Sequence, residues 1–120
     1  MTWFRVDDKL HDHPKVRRLG KDRLPAMGVW LVCGSWCADT LGDGFVPDEV
    51  VSRVDPRHRY ATRLVAVTLW HRARQDGEDG YVFHEWTHHQ PTRSDVQEAR
   101  RKTAQRVQAH RARKRATDAE

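Results

Sequence analysis

The chain has 120 residues, of which 38% are hydrophobic and 32% charged, with a formal net charge of +5. That length suits a single domain able to bury about two thirds of its unfolded surface without staples, and the low apolar fraction adds a solvated appendage to a small core. There is no apolar run near the roughly 18 residues of a membrane span, no signal-peptide pattern in MTWFRVDDKL, and no cysteine usage that requires an oxidising compartment, so a cytoplasmic protein without membrane contact is expected.

Trp3-Phe4-Arg5-Val6 reads as a strand or an extended arm that lays its aromatics on the core. Pro14 opens a short helical piece to Leu19, stopped by Gly20. The central helix is expected over Asp22 to Leu41, with Asp22 as its cap and Pro25 in the first turn. Leu24, Met27, Trp30, Leu31, Cys33, Trp36, Cys37 and Ala38 cover most of its circumference, which predicts burial by neighbours on several sides. Cys33 and Cys37, one turn apart, read as small buried hydrophobes. Gly28 and Gly34 suggest close helix packing. Gly42-Asp43-Gly44 is a turn and Phe45-Val46 a very short strand.

Pro47 then starts a helix with Asp48 and Glu49 in its first turn and Val50, Val51 and Val54 as its buried side. Asp55-Pro56 is a second cap-plus-proline start, leaving a turn as short as helix-turn-helix geometry expects. The next helix is predicted from about Pro56 to Leu69. At 100° per residue, Tyr60, Ala61, Leu64, Val65, Val67 and Thr68 fill one arc, and Arg59, Thr62, Arg63 and Ala66 the other. His71–Gln75 and Tyr81–Glu85 flank Asp76-Gly77-Glu78-Asp79-Gly80 and read as a hairpin, with Trp86 closing the domain. Ser94-Asp-Val-Gln97 is a capping-box pattern, and a helix-prone tail runs on to about Ala116 with a thin apolar stripe of Val96, Ala99 and Val107. The predicted fold class is mainly α with a small β-hairpin: a winged helix-turn-helix domain over residues 1–90 and a basic tail over 91–120 that is helical or disordered.

Together these stretches resemble a known family. WFRVDDKLHDHPKVRRLG, GVWLVCGSWCADTLGDGFVP, TRLVAVTLW and DGYVFHEWTHHQPTR look like the N-terminal domain of phage and actinobacterial replication-initiation, or replisome-organiser, proteins, over residues 3–95. The resemblance implies a winged helix that binds DNA near a replication origin. Many such proteins carry a further C-terminal domain that contacts the host helicase machinery, and none is expected within these 120 residues.

Charge points the same way. Residues 1–90 hold 13 Lys+Arg and 13 Asp+Glu, whereas residues 91–120 hold 9 and 4, so the whole excess lies in the tail. A basic tail on a neutral globule is a footprint of a nucleic-acid partner, or else a solubilising appendage. Arg59, Thr62 and Arg63 are the candidate base readers, since Arg pairs with guanine and Thr suits phosphate or a thymine methyl. Arg57, at the helix start, is placed for a phosphate. Arg72 and Arg74 alternate along the first hairpin strand and point to one side, while Asp76, Glu78 and Asp79 at the tip repel DNA. Arg93, Arg100, Arg101, Lys102 and Arg106, with Arg111, Arg113, Lys114 and Arg115 beyond, would neutralise the phosphate backbone. A helical arm pairing two protomers is the alternative use of the tail, though it lacks Leu or Ile at heptad positions.

His84, His88 and His89, and His11 and His13, do not match a zinc spacing. Asp7, Asp8 and Asp12 with His11 and His13 resemble a metal-nuclease cluster by composition alone, and no phosphate-binding glycine loop, HExxH or nucleophile elbow is present. No cofactor, metal or small-molecule substrate is expected. The leading expectation is double-stranded DNA binding in replication initiation or its control. A small transcriptional regulator on the same fold, and a protein-interaction module that dimerises or docks a host replication protein, are the alternatives.

Overall fold

The computed structural model describes residues 3–118. The chain divides between Gln90 and Pro91 into two compact units. The first is mostly helical, with a small antiparallel sheet. Its elements in order are α1 (Pro14–Arg17), α2 (Arg23–Thr40), β1 (Phe45–Pro47), α3 (Asp48–Val54), α4 (Arg59–Ala66), β2 (Trp70–Gln75), β3 (Glu78–Phe83) and α5 (Trp86–His89), with single 3-10 turns at Leu10–Asp12 and Gly20–Asp22. The second is one helix, α6 (Arg93–Asp118).

The expected hairpin is part of a three-stranded sheet in the order β1-β3-β2. Phe45 pairs with Val82 on one side of β3, and Trp70 with Phe83 on the other. The hairpin turn is tighter than the acidic run suggested. Asp76 and Gly77 alone make it, both at positive φ (51° and 79°), and Glu78, Asp79 and Gly80 join the strand. Two consecutive left-handed residues match the right-handed twist of the strands, and Asp-Gly supplies them cheaply. Gly80 leaves no room for a side chain, because a Cβ there would stand 2.3 Å from the Val46 carbonyl oxygen.

The core lies between the inner side of α2, α4 and the sheet. Cys33, Cys37, Val46, Val51, Ala61, Leu64 and Trp70 are fully buried. Both cysteines are free thiols, as the sequence predicts. Burial pushes each thiol up to about 12, and Cys37 Sγ donates to the Phe45 carbonyl at 3.3 Å.

Residues 3–6 form no ladder. Phe4 inserts beside Gly34, where a Cβ would lie 2.2 Å from its ring, and its ring centroid is 5.0 Å from that of Trp30 and 5.8 Å from that of Trp86. The glycine therefore admits an aromatic ring rather than a second helix. A Cβ at Gly28 would meet nothing within 4 Å outside its own helix backbone. Trp3 is exposed.

The expectation that α2 is buried around most of its circumference holds for Cys33, Cys37 and Ala38, with Met27, Trp30 and Trp36 packed partly against the core, and fails for Leu24 and Leu31, which are exposed together with Val32. Val54 is also exposed at the end of α3. Helix α4 begins at Arg59 rather than Pro56, after a turn in which His58 takes a left-handed conformation (φ 53°). It ends at Ala66, and Thr68 is exposed rather than inward. The cap of α6 sits earlier than the Ser94–Gln97 pattern. Thr92 N donates to the Asp95 carboxylate and Asp95 N to Thr92 Oγ1, each at 3.1 Å, which is a reciprocal capping box with Asp in the acidic place. Helix α6 then runs 26 residues with Val96 as its one buried side chain.

Candidate nucleic-acid interface

Helix α4 is held in place by the turn before it. The Asp55 carboxylate is buried at 4% exposure and accepts from the backbone N–H groups of Arg59, Tyr60 and Ala61 at 3.1, 3.1 and 2.9 Å. Three of the helix's otherwise unpaired donors are thus satisfied by one side chain. His58 completes the turn. Its Nε2 lies 2.8 Å from Ser52 Oγ and its Nδ1 2.8 Å from the Tyr81 hydroxyl, tying α3 to β3. With Ala61, Leu64 and Val67 buried, Arg59 and Thr62 face outward.

The structure separates the four predicted residues of this region. Arg57 is exposed in the turn. Arg59 is exposed, with one guanidinium nitrogen 3.9 Å from Asp22 and the group 5.5 Å above the Tyr60 ring. Thr62 is exposed, and its hydroxyl donates to the His58 carbonyl at 2.7 Å, which leaves its oxygen free to accept. Arg63 departs from expectation. It is half-buried, donates to the carbonyls of Arg18 and Leu19 at 3.2 and 3.4 Å, and holds Nε 3.5 Å from Asp22 in an ion pair. It clamps α4 to the α1–α2 junction, and its removal would disturb packing. Asp22 makes no cap bond to α2; its carboxylate is turned to the two arginines instead.

That clamp brings in residues the helix pattern alone did not suggest. Arg18, Lys21 and Arg23 are exposed around the junction, beside Asp22. Their signal was present as RRLGKDR over residues 17–23, a dense basic run whose lone acid is engaged by α4. The result is a cationic surface formed by Arg59 and Thr62 from α4 and by the junction cations.

The hairpin arginines are less free than their alternation implied. Arg72 forms a two-pronged pair with Asp48, Nη2 to Oδ2 at 2.8 Å, and lies 4.6 Å over the Tyr81 ring. The guanidinium holds the Asp48 carboxyl below the usual range, and the carboxylate raises the Arg72 pKa in return. Arg74 sits 3.4 Å from Asp79. Both arginines remain exposed, so their outer edges reach solvent.

On α6, Arg100, Arg101 and Arg106 are exposed, as is Arg93 at its start. Lys102 pairs with Glu98 at 3.4 Å. At 100° per residue the basic residues of α6 lie all around the helix rather than in one stripe, an arrangement suited to a polyanion and not to reading bases.

Among the described residues no group of three or more His, Cys, Asp or Glu is placed to hold a metal, and no helix is long and apolar enough to cross a membrane. His71 Nε2 and His84 Nδ1 share a hydrogen bond at 2.8 Å. A recess of about 150 Å³ is lined by Phe4, Trp30, Phe83 and Trp86 under Lys15 and His84, below the roughly 300–1,000 Å³ of ordinary ligand pockets. Comparison with protein families, with curated proteins and with solved structures gives no match.

Proposed function

We propose that the chain is a double-stranded DNA-binding protein built on a winged helix-turn-helix, acting in replication initiation or its control. The observation that carries the reading is the outward face of α4. Arg59 and Thr62 stand exposed on a helix fixed by the Asp55 cap, two short steps after α3, and flanked by Arg18, Lys21 and Arg23. The connectivity supports it: a helix pair joined by a tight turn, followed by a two-stranded hairpin whose inner strand also pairs with a short strand before the helix pair. In helix-turn-helix proteins the second helix of such a pair lies in the major groove, with its N-terminal residues on base edges.

In this reading Arg59 and Thr62 contact bases, and Arg57 and the junction cations contact phosphates. Arg63 acts as a positioning residue. The hairpin contributes Arg74 and the outer edge of Arg72 to the backbone, while its acidic tip stays out of the groove. Helix α6 adds sequence-independent attraction. The replication role rests on the family resemblance of residues 3–95, and a small transcriptional regulator would use the same surface.

The test is selection of bound duplexes from a random library by the purified chain, followed by affinity measurement over a salt series. A preferred site and a log–log fall of affinity with salt are expected, because phosphate neutralisation releases counterions. Absence of binding, or affinity unmoved by salt, contradicts the proposal and favours a protein-interaction module, whose packed interface responds little to salt.

A further inference from the structure

Helix α2 leaves one arc of its surface open. Ala26, Val29, Cys33, Gly34, Cys37 and Ala38 are buried over somewhat more than half of its circumference, and the remaining arc carries Leu24, Gly28, Leu31, Val32, Ser35 and Asp39, all exposed. These six fall within an arc of about 100° at helical spacing. Leu24 is 80% exposed, and Leu31 and Val32 are each 50% exposed. A solvent-facing helix stripe is normally polar. Leu24 and Val6 also line one groove, so the apolar surface continues from α2 onto the N-terminal segment.

We propose that this face pairs with the same face of a second copy, α2 against α2 in antiparallel, about a two-fold axis between Leu31 and Val32. The face is self-complementary about that point. Leu31 of one copy meets Val32 of the other, and Gly28 meets Ser35, so two small residues coincide and let the helices approach. Nothing lies within 4 Å of where a Gly28 Cβ would stand, so that approach is open.

Charge selects the antiparallel sense. Asp39 is the one charged residue on the face and lies at its C-terminal end, while the N-terminal end carries exposed Lys21 and Arg23 together with Asp7 and Asp8. Asp22, also at that end, is turned toward Arg59 and Arg63. Antiparallel pairing brings each Asp39 to the positive end of the partner's helix dipole, and parallel pairing sets the two Asp39 carboxylates together. Size is consistent with a reversible dimer. Eighteen residues of helix span about 27 Å, which gives an interface near the low end of specific ones, about 1,200 Å² or less. The dimer does not depend on the DNA reading. If both hold, two symmetry-related α4 helices would favour an inverted repeat.

The test uses the full chain with single cysteines introduced on the face and a short bismaleimide. Cys33 and Cys37 are fully buried with thiols pushed up to about 12, so they stay silent. Leu31→Cys, beside the axis, should cross-link to itself. Leu24→Cys and Asp39→Cys should not do so alone but should cross-link when mixed. In sedimentation equilibrium the unsubstituted chain should pass from monomer to dimer over the micromolar range, and Leu31→Glu should weaken that by about tenfold or more, with an unchanged thermal midpoint at a concentration where both chains are monomeric. A chain that stays monomeric overturns the proposal. So does self-cross-linking at Leu24 or Asp39, or a dimer that survives Leu31→Glu and is lost in Val107→Glu on α6. DNA affinity of Leu31→Glu on a half-site, read separately, keeps failure of this proposal distinct from failure of the DNA reading.

Discussion

Asp55 is the side chain on which α4 most depends. It is buried and accepts from three backbone donors, so Asp55→Ala should cost about 2–3 kcal/mol in denaturant unfolding. Asp55→Asn, which keeps an acceptor, should recover part of that. Leu64→Ala should cost about 2–5 kcal/mol, since the side chain is fully buried. Leu31→Ala should stay below about 1 kcal/mol, since half of the residue already meets solvent. Asp22→Asn should tighten DNA binding, because it removes a negative charge from between Arg59 and Arg63. Weaker binding in that variant would mean that the carboxylate matters for orienting the two arginines and not as a repulsive charge. His84 carries a pH signature. Burial and the Lys15 ammonium hold its imidazole below the usual 6.5. The unfolded chain then takes up a proton before the folded one, so stability should decline as pH falls from about 6.5 through the lowered folded value, and be unaffected above it. The thermal midpoint of His84→Gln should be flatter than that of the unsubstituted chain across that window.

The elements were largely legible in the sequence because each carries its own punctuation. Pro14 and Gly20 bracket α1, Gly42-Asp43-Gly44 ends the central helix region, and Asp-Gly makes the hairpin turn. The misreadings have two physical origins. Apolar residues do not say which side of a helix lacks a neighbour, so helical spacing alone puts Leu24, Leu31 and Val54 inside, whereas all three are exposed. Nor does a local pattern reveal where a cation finds its partner. Arg63 and Arg72 sit on the expected outward faces, yet they are engaged by groups 45 and 24 residues away in sequence. Acceptors from other elements, the Arg18 and Leu19 carbonyls for Arg63 and the Asp48 carboxylate for Arg72, decide which arginine of a basic face remains available. The α4 surface consequently reads as Arg59 and Thr62 with the junction cations, and not as the Arg59–Arg63 pair that helical spacing suggested.

Charge and stability are divided unequally along the chain. The core lies in the unit ending at Gln90, while residues 97–120 contribute no buried side chain among those described. Deleting them removes eight Lys+Arg and three Asp+Glu. The thermal midpoint should hardly move, and the slope of DNA affinity against salt should flatten. A sharp fall in midpoint would instead make α6 part of what holds the fold together. The central claim is that α4 reads bases while the remaining cations hold the backbone. The measurement that addresses it most directly is a pair of affinities, on a selected site and on random duplex, for Arg59→Ala and Arg100→Ala at one salt concentration. Arg59→Ala should lose about 1–3 kcal/mol on the selected site and much less on random DNA, whereas Arg100→Ala should weaken both alike. Equal losses on the two DNAs for Arg59→Ala, or no loss on either, would contradict it.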